Sequence, residues 1–375
     1  MSQSVGKHTV WPHEKLYFPS LTGLRAIAAF CVLFTHVERY RITVGRSAVI
    51  DMPLNSFIGS QAVTFFFVLS GFLITSFLLR EKDRTGTIQV MSFFRRRALR
   101  IWPLYYVVLA AGYLISIFVI RDTDSNILRN GFLLNALLLP NVAFVLDKIP
   151  EIIVQLWSLG TEEQFYFVWP FLIRRTTQRQ LTRALLLIVA CWLMVGVPIH
   201  FLGGDRLRAL VFRTRIDCMA IGGLLSLAVL YKDQAGSWMD RCYRIIRHRA
   251  TGLLGMVSFA ALLAASYQWK LSLYQLYALL FGILIVRLSS RPGGWLETAP
   301  LKYLGKRSYG VYLLHHFMIY LVFKNIPSLL EIPGPWGDLA VFVLASLLTV
   351  LAAALSYRYL ESPFLRTKAP PRPRG

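Results

Sequence analysis

Charge is scarce in this 375-residue chain, and negative charge scarcer still. Only 16% of its residues are Asp, Glu, Lys or Arg, against about 25% in an ordinary soluble domain. That stock cannot cover a globular surface of this size, and 55% hydrophobic content with a mean hydropathy of +0.52 excludes a disordered chain. Glycine and proline, 25 and 17 residues, are too few for a collagen-like class. Cysteine is limited to Cys31, Cys191, Cys218 and Cys242. Their scattered positions form neither a disulfide framework nor a metal spacing, and they read as packing residues. No P-loop, dinucleotide fingerprint or metal-ligand constellation is visible. Against 19 acids stand 41 Lys+Arg, a net charge of +22. Such an excess suits nucleic acid or an anionic membrane surface, and its distribution decides between them.

What the chain has instead is long apolar runs. Ten intervals, 20–38, 57–79, 101–120, 157–173, 184–202, 212–231, 252–268, 271–288, 309–330 and 337–357, are each near the roughly 20 residues that cross a bilayer as helix. Gly131 to Leu146 is shorter and holds Asn135, Pro140 and Asn141, so it reads as a re-entrant or interfacial piece. Assigning the connections alternately to two sides puts 28 of the 41 basic residues on the side of the N-terminus and 12 on the other; Arg25 lies inside the first run. By the positive-inside rule both termini are cytoplasmic, as an even number of crossings requires. The first run is not a cleaved signal, because it carries Arg25 and no small-residue cleavage site follows it. The expected class is therefore all-α: a polytopic bundle of about ten transmembrane helices. A cytoplasmic tail over 1–19 precedes a membrane domain over 20–365, and a disordered basic tail over 366–375 follows. Neither an internal repeat nor a second soluble domain is apparent, and basic residues that alternate with apolar runs form no nucleic-acid surface.

Ionisable groups inside such runs are costly and need partners or a polar cavity. Arg25 and His36 stand 11 residues apart in the first run, which is three helical turns to within roughly 20° and about 16 Å of rise. Both leave the same helix face, Arg25 near the cytoplasmic end and His36 near the outer end. The plainer alternative is that Arg25 snorkels to the interface and His36 is an ordinary interfacial histidine.

The strings around these residues point further. LTGLRAIAAFCVLFTH (21–36), FFFVLSGFLI (65–74), FFRRRALRIWPLYY (93–106), WSLGTEEQFYFVWPF (157–171), RIDCMAIGG (215–223), SYGVYLLHH (308–316) and YRYLESPF (357–364) occur in this order. Together they resemble the membrane-bound acyltransferase 3 family, whose members modify envelope sugars, polysaccharides and some antibiotics. The departures are minor: Gly160 and Thr161 stand where Ser and Val are more usual. The resemblance implies transfer of an acyl group, commonly acetyl, from cytoplasmic acyl-CoA to a hydroxyl of a carbohydrate or related acceptor.

On that footing the polar residues acquire candidate roles. Arg97 and Arg100, deepest of the basic cluster with Arg95 and Arg96, are expected with Arg25 to hold the phosphates of acetyl-CoA, since the guanidinium fork matches phosphate oxygens. His36 is the candidate general base, acting by direct transfer or through an acyl-histidine relay. Glu162 and Glu163 start the fourth run at its outer end, the expected level of His36, where one could orient the imidazole. Glu162 is preferred because it shares a face with Tyr166; capping of a helix N-terminus is the alternative. Arg215 and Asp217 either pair with each other or hold acceptor hydroxyls, as Tyr166 could. His315 matches the family string and either lines the route of acyl-CoA or is a core histidine. No permanently bound cofactor and no metal are expected. The rival functions are a transporter or flippase and a non-enzymatic scaffold.

Overall fold

In the computed structural model the described residues are 18–46, 52–121, 124–269, 274–289, 293–332 and 335–366. The two tails, apart from Phe18, Pro19 and Arg366, and the turn at Lys270 lie outside them. Every regular element among the described residues is helical. The helices are α1 (Pro19–Thr43), α2 (Met52–Thr85), α3 (Val90–Ile115), α4 (Ser125–Ala136), α5 (Pro140–Val145), α6 (Trp157–Arg175), α7 (Gln178–Leu202), α8 (Asp205–Arg213), α9 (Ile216–Leu230), α10 (Trp238–Arg247), α11 (Arg249–Trp269), α12 (Tyr274–Ser289), α13 (Ala299–Asn325), α14 (Ser328–Glu331), α15 (Pro335–Ser356) and α16 (Ser362–Arg366).

Each of the ten apolar intervals lies mostly on one helix, α1, α2, α3, α6, α7, α9, α11, α12, α13 and α15 in turn, residues 271–273 of the eighth lying outside the described residues. Among the described residues five helical segments are long and apolar enough to cross a membrane, those carrying α1, α2, α3, α7 and α15. A sixth arises if α10 and α11, bent by 71° at their junction, count as one span. The central helices α6 and α13 fall outside that set because they carry Glu162, Glu163, His315 and several basic residues. The expected re-entrant or interfacial piece is the pair α4–α5, broken at Leu137–Leu139, with Leu138 at φ +61°.

Local sequence explains where helices stop and start. The Lys82 ammonium donates to the carbonyls of Ile173 (2.7 Å) and Thr176 (2.6 Å), satisfying the end of α6 where a cation is favoured. Thr177 and Gln180 then form a reciprocal capping box that opens α7. The sixth run begins later than expected, at Ile216, because Thr214 and Arg215 form the break between α8 and α9. Arg215 is fully buried there. It donates to the carbonyls of Phe212 and Ser60 and to the hydroxyls of Thr64 and Ser60.

The interior is built on α2, α9, α1 and α13. A methyl group at Gly71 would overlap the Met219 carbonyl, and one at Gly222 would overlap the Val68 carbonyl. Only glycine lets the backbones of α2 and α9 approach so closely. Gly305 does the same for α13 against Thr22 of α1. Polar ties cross this packing: the Trp169 indole donates to Thr75 at 2.8 Å, and Ser76 and Ser226 share a 2.8 Å bond. Outward faces are apolar and exposed instead, as at Leu187 and Met194 of α7 and Leu347 and Leu351 of α15. That is the pattern of helices whose solvent is lipid.

Candidate active site

Helices α1, α2, α3, α6 and α13 enclose a cavity of about 130 Å³. Its charged lining is Arg25, Arg97, Arg100, Glu162 and Glu163; Ser70, Ser158, Tyr166, Tyr309 and Tyr312 supply hydroxyls. Both oxygens of Glu162 are engaged, one accepting from Ser70 (3.1 Å) and the other from Tyr166 (2.7 Å). Glu163 accepts from the Trp102 indole at 3.1 Å. The Arg97 guanidinium lies over the Tyr166 ring, 5.3 Å from its centroid, a cation–π arrangement that leaves its N–H edges free. Arg25 feels Arg100, Glu162 and Arg97 electrostatically. Among the described residues, none of Arg25, Arg97 and Arg100 makes an ion pair within 4 Å. Three guanidinium groups thus face two hydrogen-bonded carboxylates, and the excess positive charge is directed into an empty space. Arg95 and Arg96 stand apart on the exposed side of α3, Arg96 paired with Glu81 at 3.1 Å.

One wall of the cavity leads to a second cluster. The Ser158 and Tyr312 hydroxyls share a 2.6 Å bond, and Tyr312 also reaches the Gln155 carbonyl at 3.2 Å. The Tyr312 ring lies 5.9 Å from that of His315. His36 sits between His315 (5.1 Å between centroids) and His316 (4.3 Å). The same close approach of α1 and α13 that Gly305 permits brings these three rings together. His36 Nδ1 and both His316 nitrogens are buried without a hydrogen-bond partner. Both His315 nitrogens are likewise buried without a hydrogen-bond partner.

Several expectations need correcting at this point. Glu162 and Glu163 do not stand beside His36; they share the cavity of Arg25, roughly 16 Å of helix rise away. They sit more than a turn inside α6 rather than at its start, and the residues they meet across the bundle belong to α2 and α3. His315 lines no part of the arginine cavity but stands beside His36. Arg215 and Asp217 are fully buried, form no ion pair with each other among the described residues, and lie away from the cavity. Tyr166 lines the arginine cavity, where its hydroxyl donates to Glu162.

The reading that no metal-ligand set exists rested on spacing, and the fold changes it: ligand atoms of His36, His315 and His316 lie within 4.8 Å of one another. The surroundings nevertheless disfavour a divalent cation. The full charges acting on these histidines are positive, Arg39 on both His36 and His316 and Arg213 on His36. Neutral imidazoles that accept and pass a proton fit this field better. Sequence reasoning gave His316, Ser70 and Trp102 no role, His315 being preferred of the histidine pair. The doubled histidine of SYGVYLLHH was the one available signal for His316.

A family model described as an acyltransferase domain matches residues 18–358. The O-acetyltransferase OatA of Staphylococcus aureus is 31% identical over 369 residues, covering 92% of this chain and 57% of that protein. The peptidoglycan O-acetyltransferase OatA of Listeria monocytogenes is 28% identical over 371 residues, covering 94% and 56%. The putative peptidoglycan O-acetyltransferase YrhL of Bacillus subtilis is 28% identical over 375 residues, covering 94% and 55%. The chain spans little more than half the length of these curated relatives. No solved structure matches it. The family match over residues 18–358 takes in both clusters, and the chain belongs to the acyltransferase-domain family whose strings it resembles.

Proposed function

We propose that this chain is a membrane O-acyltransferase that moves an acetyl group from cytoplasmic acyl-CoA to a hydroxyl of a cell-envelope carbohydrate. In this reading all ten long helices cross the inner membrane and both termini are cytoplasmic, which the 28-to-12 division of basic residues supports. The observation that carries the proposal is the continuity of the two clusters. A cavity with three unpaired guanidinium groups ends at Ser158 and Tyr312, and Tyr312 adjoins the histidines. Arg25, Arg97 and Arg100 hold the donor's phosphates. Glu162 and Glu163, fixed by Ser70, Tyr166 and Trp102, keep those cations spread and soften their mutual repulsion. The acyl thioester extends past Tyr312 toward His36.

His36 takes the proton of the acceptor hydroxyl as its oxygen attacks the thioester carbonyl. The C–O bond forms, the C–S bond breaks, and the departing CoA thiolate takes the proton back from the imidazolium. The products are an ester and CoA thiol in equal amounts. The peptidoglycan named for two of the relatives makes a glycan hydroxyl the natural acceptor class.

The test is acylation by the full chain in nanodiscs, with labelled acetyl-CoA and envelope glycan fragments. Ester and free thiol should appear one for one, and His36→Ala should lower the rate by about 10²–10⁴-fold without changing thermal stability greatly. A His36→Ala protein with undiminished rate overturns the base assignment. Movement of the glycan across a bilayer with the thioester intact would make the chain a transporter.

A further inference from the structure

Three arginines near the histidine end of the molecule are treated differently by the fold. Arg41 is buried and paired with both Glu38 (2.8 Å) and Asp338 (2.7 Å). Arg215 gives every one of its nitrogens to Ser60, Thr64 or the Phe212 carbonyl. Arg213, two residues earlier, has none of this. Among the described residues its guanidinium makes no ion pair and no side-chain hydrogen bond. Its own carbonyl accepts from Thr161 at 2.7 Å, which fixes the backbone. Phe144 and Trp157 then hold the guanidinium in place, its carbon 4.0 and 4.3 Å from their ring centroids.

The charges acting on Arg213 are those of Arg215 and Arg39, both positive, with the neutral Tyr312 hydroxyl beside them. A half-buried cation among cations is unfavourable unless an anion completes it. Aromatic contacts to the faces of a guanidinium leave its N–H edges available, and those edges match a carboxylate or phosphate bidentately. Arg39 adds a second free cation. It is exposed, three residues and about one turn beyond His36 on α1, and has no ion pair among the described residues. His36 feels both arginines, so an anion held by them lies near the acyl-transfer centre.

We propose that Arg213 and Arg39 form an anion subsite for an acidic group, carboxylate or phosphate, on the acceptor molecule. The enzyme then selects acidic saccharides and presents their hydroxyl to His36. This rests on the O-acyltransferase reading above, and it makes Arg213 a specificity residue.

The experiment uses the full chain in nanodiscs with four defined acceptors: N-acetylmuramic acid, its carboxyl-reduced alcohol, N-acetylglucosamine 1-phosphate and N-acetylglucosamine. Wild type should favour one acidic acceptor over its neutral counterpart by about 10- to 100-fold in kcat/KM. Whether the carboxylate or the phosphate pair shows the preference identifies the group. Arg213→Gln should bring that ratio close to one, and Arg213→Lys should keep part of it. A wild-type ratio near one, or a ratio unchanged in Arg213→Gln, overturns the subsite. Equilibrium binding of the same acids to His36→Ala separates the two claims. Acid binding that survives in His36→Ala and is lost on adding Arg213→Gln sustains the subsite even if no acceptor is acylated, in which case the acyltransferase reading alone fails. Acid binding indifferent to Arg213 removes the subsite whatever the catalytic result.

Discussion

The two clusters along α1 share walls from α13 yet differ in how their polar atoms are satisfied. In the arginine cavity Glu162 is hydrogen-bonded through both oxygens to Ser70 and Tyr166 and Glu163 through one oxygen to Trp102, its other oxygen having no partner, and the three guanidinium groups make no ion pair among the described residues. At the histidine end His36 Nδ1 and both ring nitrogens of His315 and His316 stand buried without partners, and the full charges acting on His36 and His316 are those of arginines. Buried polar atoms are normally paired in a folded protein, so each surplus marks what is to be bound. Unpaired guanidinium groups call for an anion; unpaired imidazoles call for a proton donor such as a hydroxyl. A family of helices can therefore assign binding to one end of a single face and chemistry to the other, with Tyr312 between them.

The largest effect that would sharpen this contrast is expected from donor discrimination. Wild type should use acetyl-CoA far better than acetyl-pantetheine, which lacks the phosphates. Arg97→Ala should raise KM for acetyl-CoA by about 10- to 100-fold and leave acetyl-pantetheine little affected, as steady-state kinetics with both donors would show. Equal losses on both donors would break the contrast, because Arg97 would then serve the chemistry. The smallest effect belongs to the anchoring of α1 at its arginine end. Glu297 accepts from the Gly293 amide (2.6 Å) and the Ser20 hydroxyl (2.7 Å), with Lys302 at 3.6 Å. The Gly293 amide, then Ser20, hold its carboxyl below the usual carboxylate range. A lowered folded-state pKa gives stability that is present above the unfolded value and lost as pH falls through the folded one. Glu297→Gln should therefore lower the midpoint of thermal unfolding slightly at pH 7, and the difference should close in acid. A difference that persists in acid would mean that packing, not charge, makes the anchor.

The helices were legible in the sequence to a large degree, because a long apolar run has few ways to satisfy its backbone other than as helix. Their ends were less so. Hydrogen bonding continues into polar residues that an apolar scan stops at: α13 starts at Ala299 and carries Lys302, Lys306 and Arg307 before its apolar part. Arg25 and His36 could be placed on one face by spacing alone, since both lie on one helix. Glu162 could not be placed against either, because lateral position in a bundle depends on which helices adjoin, and α6 meets α2 and α3 at that level. His316 joined His36 only through the close approach of α1 and α13. Arg213 counted merely as one of the minority basic residues until its aromatic neighbours and lack of an acid were seen.

The central claim is that one end of α1 binds the donor while the other does the chemistry. Equilibrium binding of CoA to the full chain in nanodiscs tests it most directly, with His36→Ala and Arg97→Ala compared in parallel. The account predicts that His36→Ala binds CoA as tightly as wild type although its transfer rate falls about 10²–10⁴-fold, whereas Arg97→Ala binds it at least about tenfold more weakly. CoA affinity that falls with His36 and is indifferent to Arg97 would contradict it.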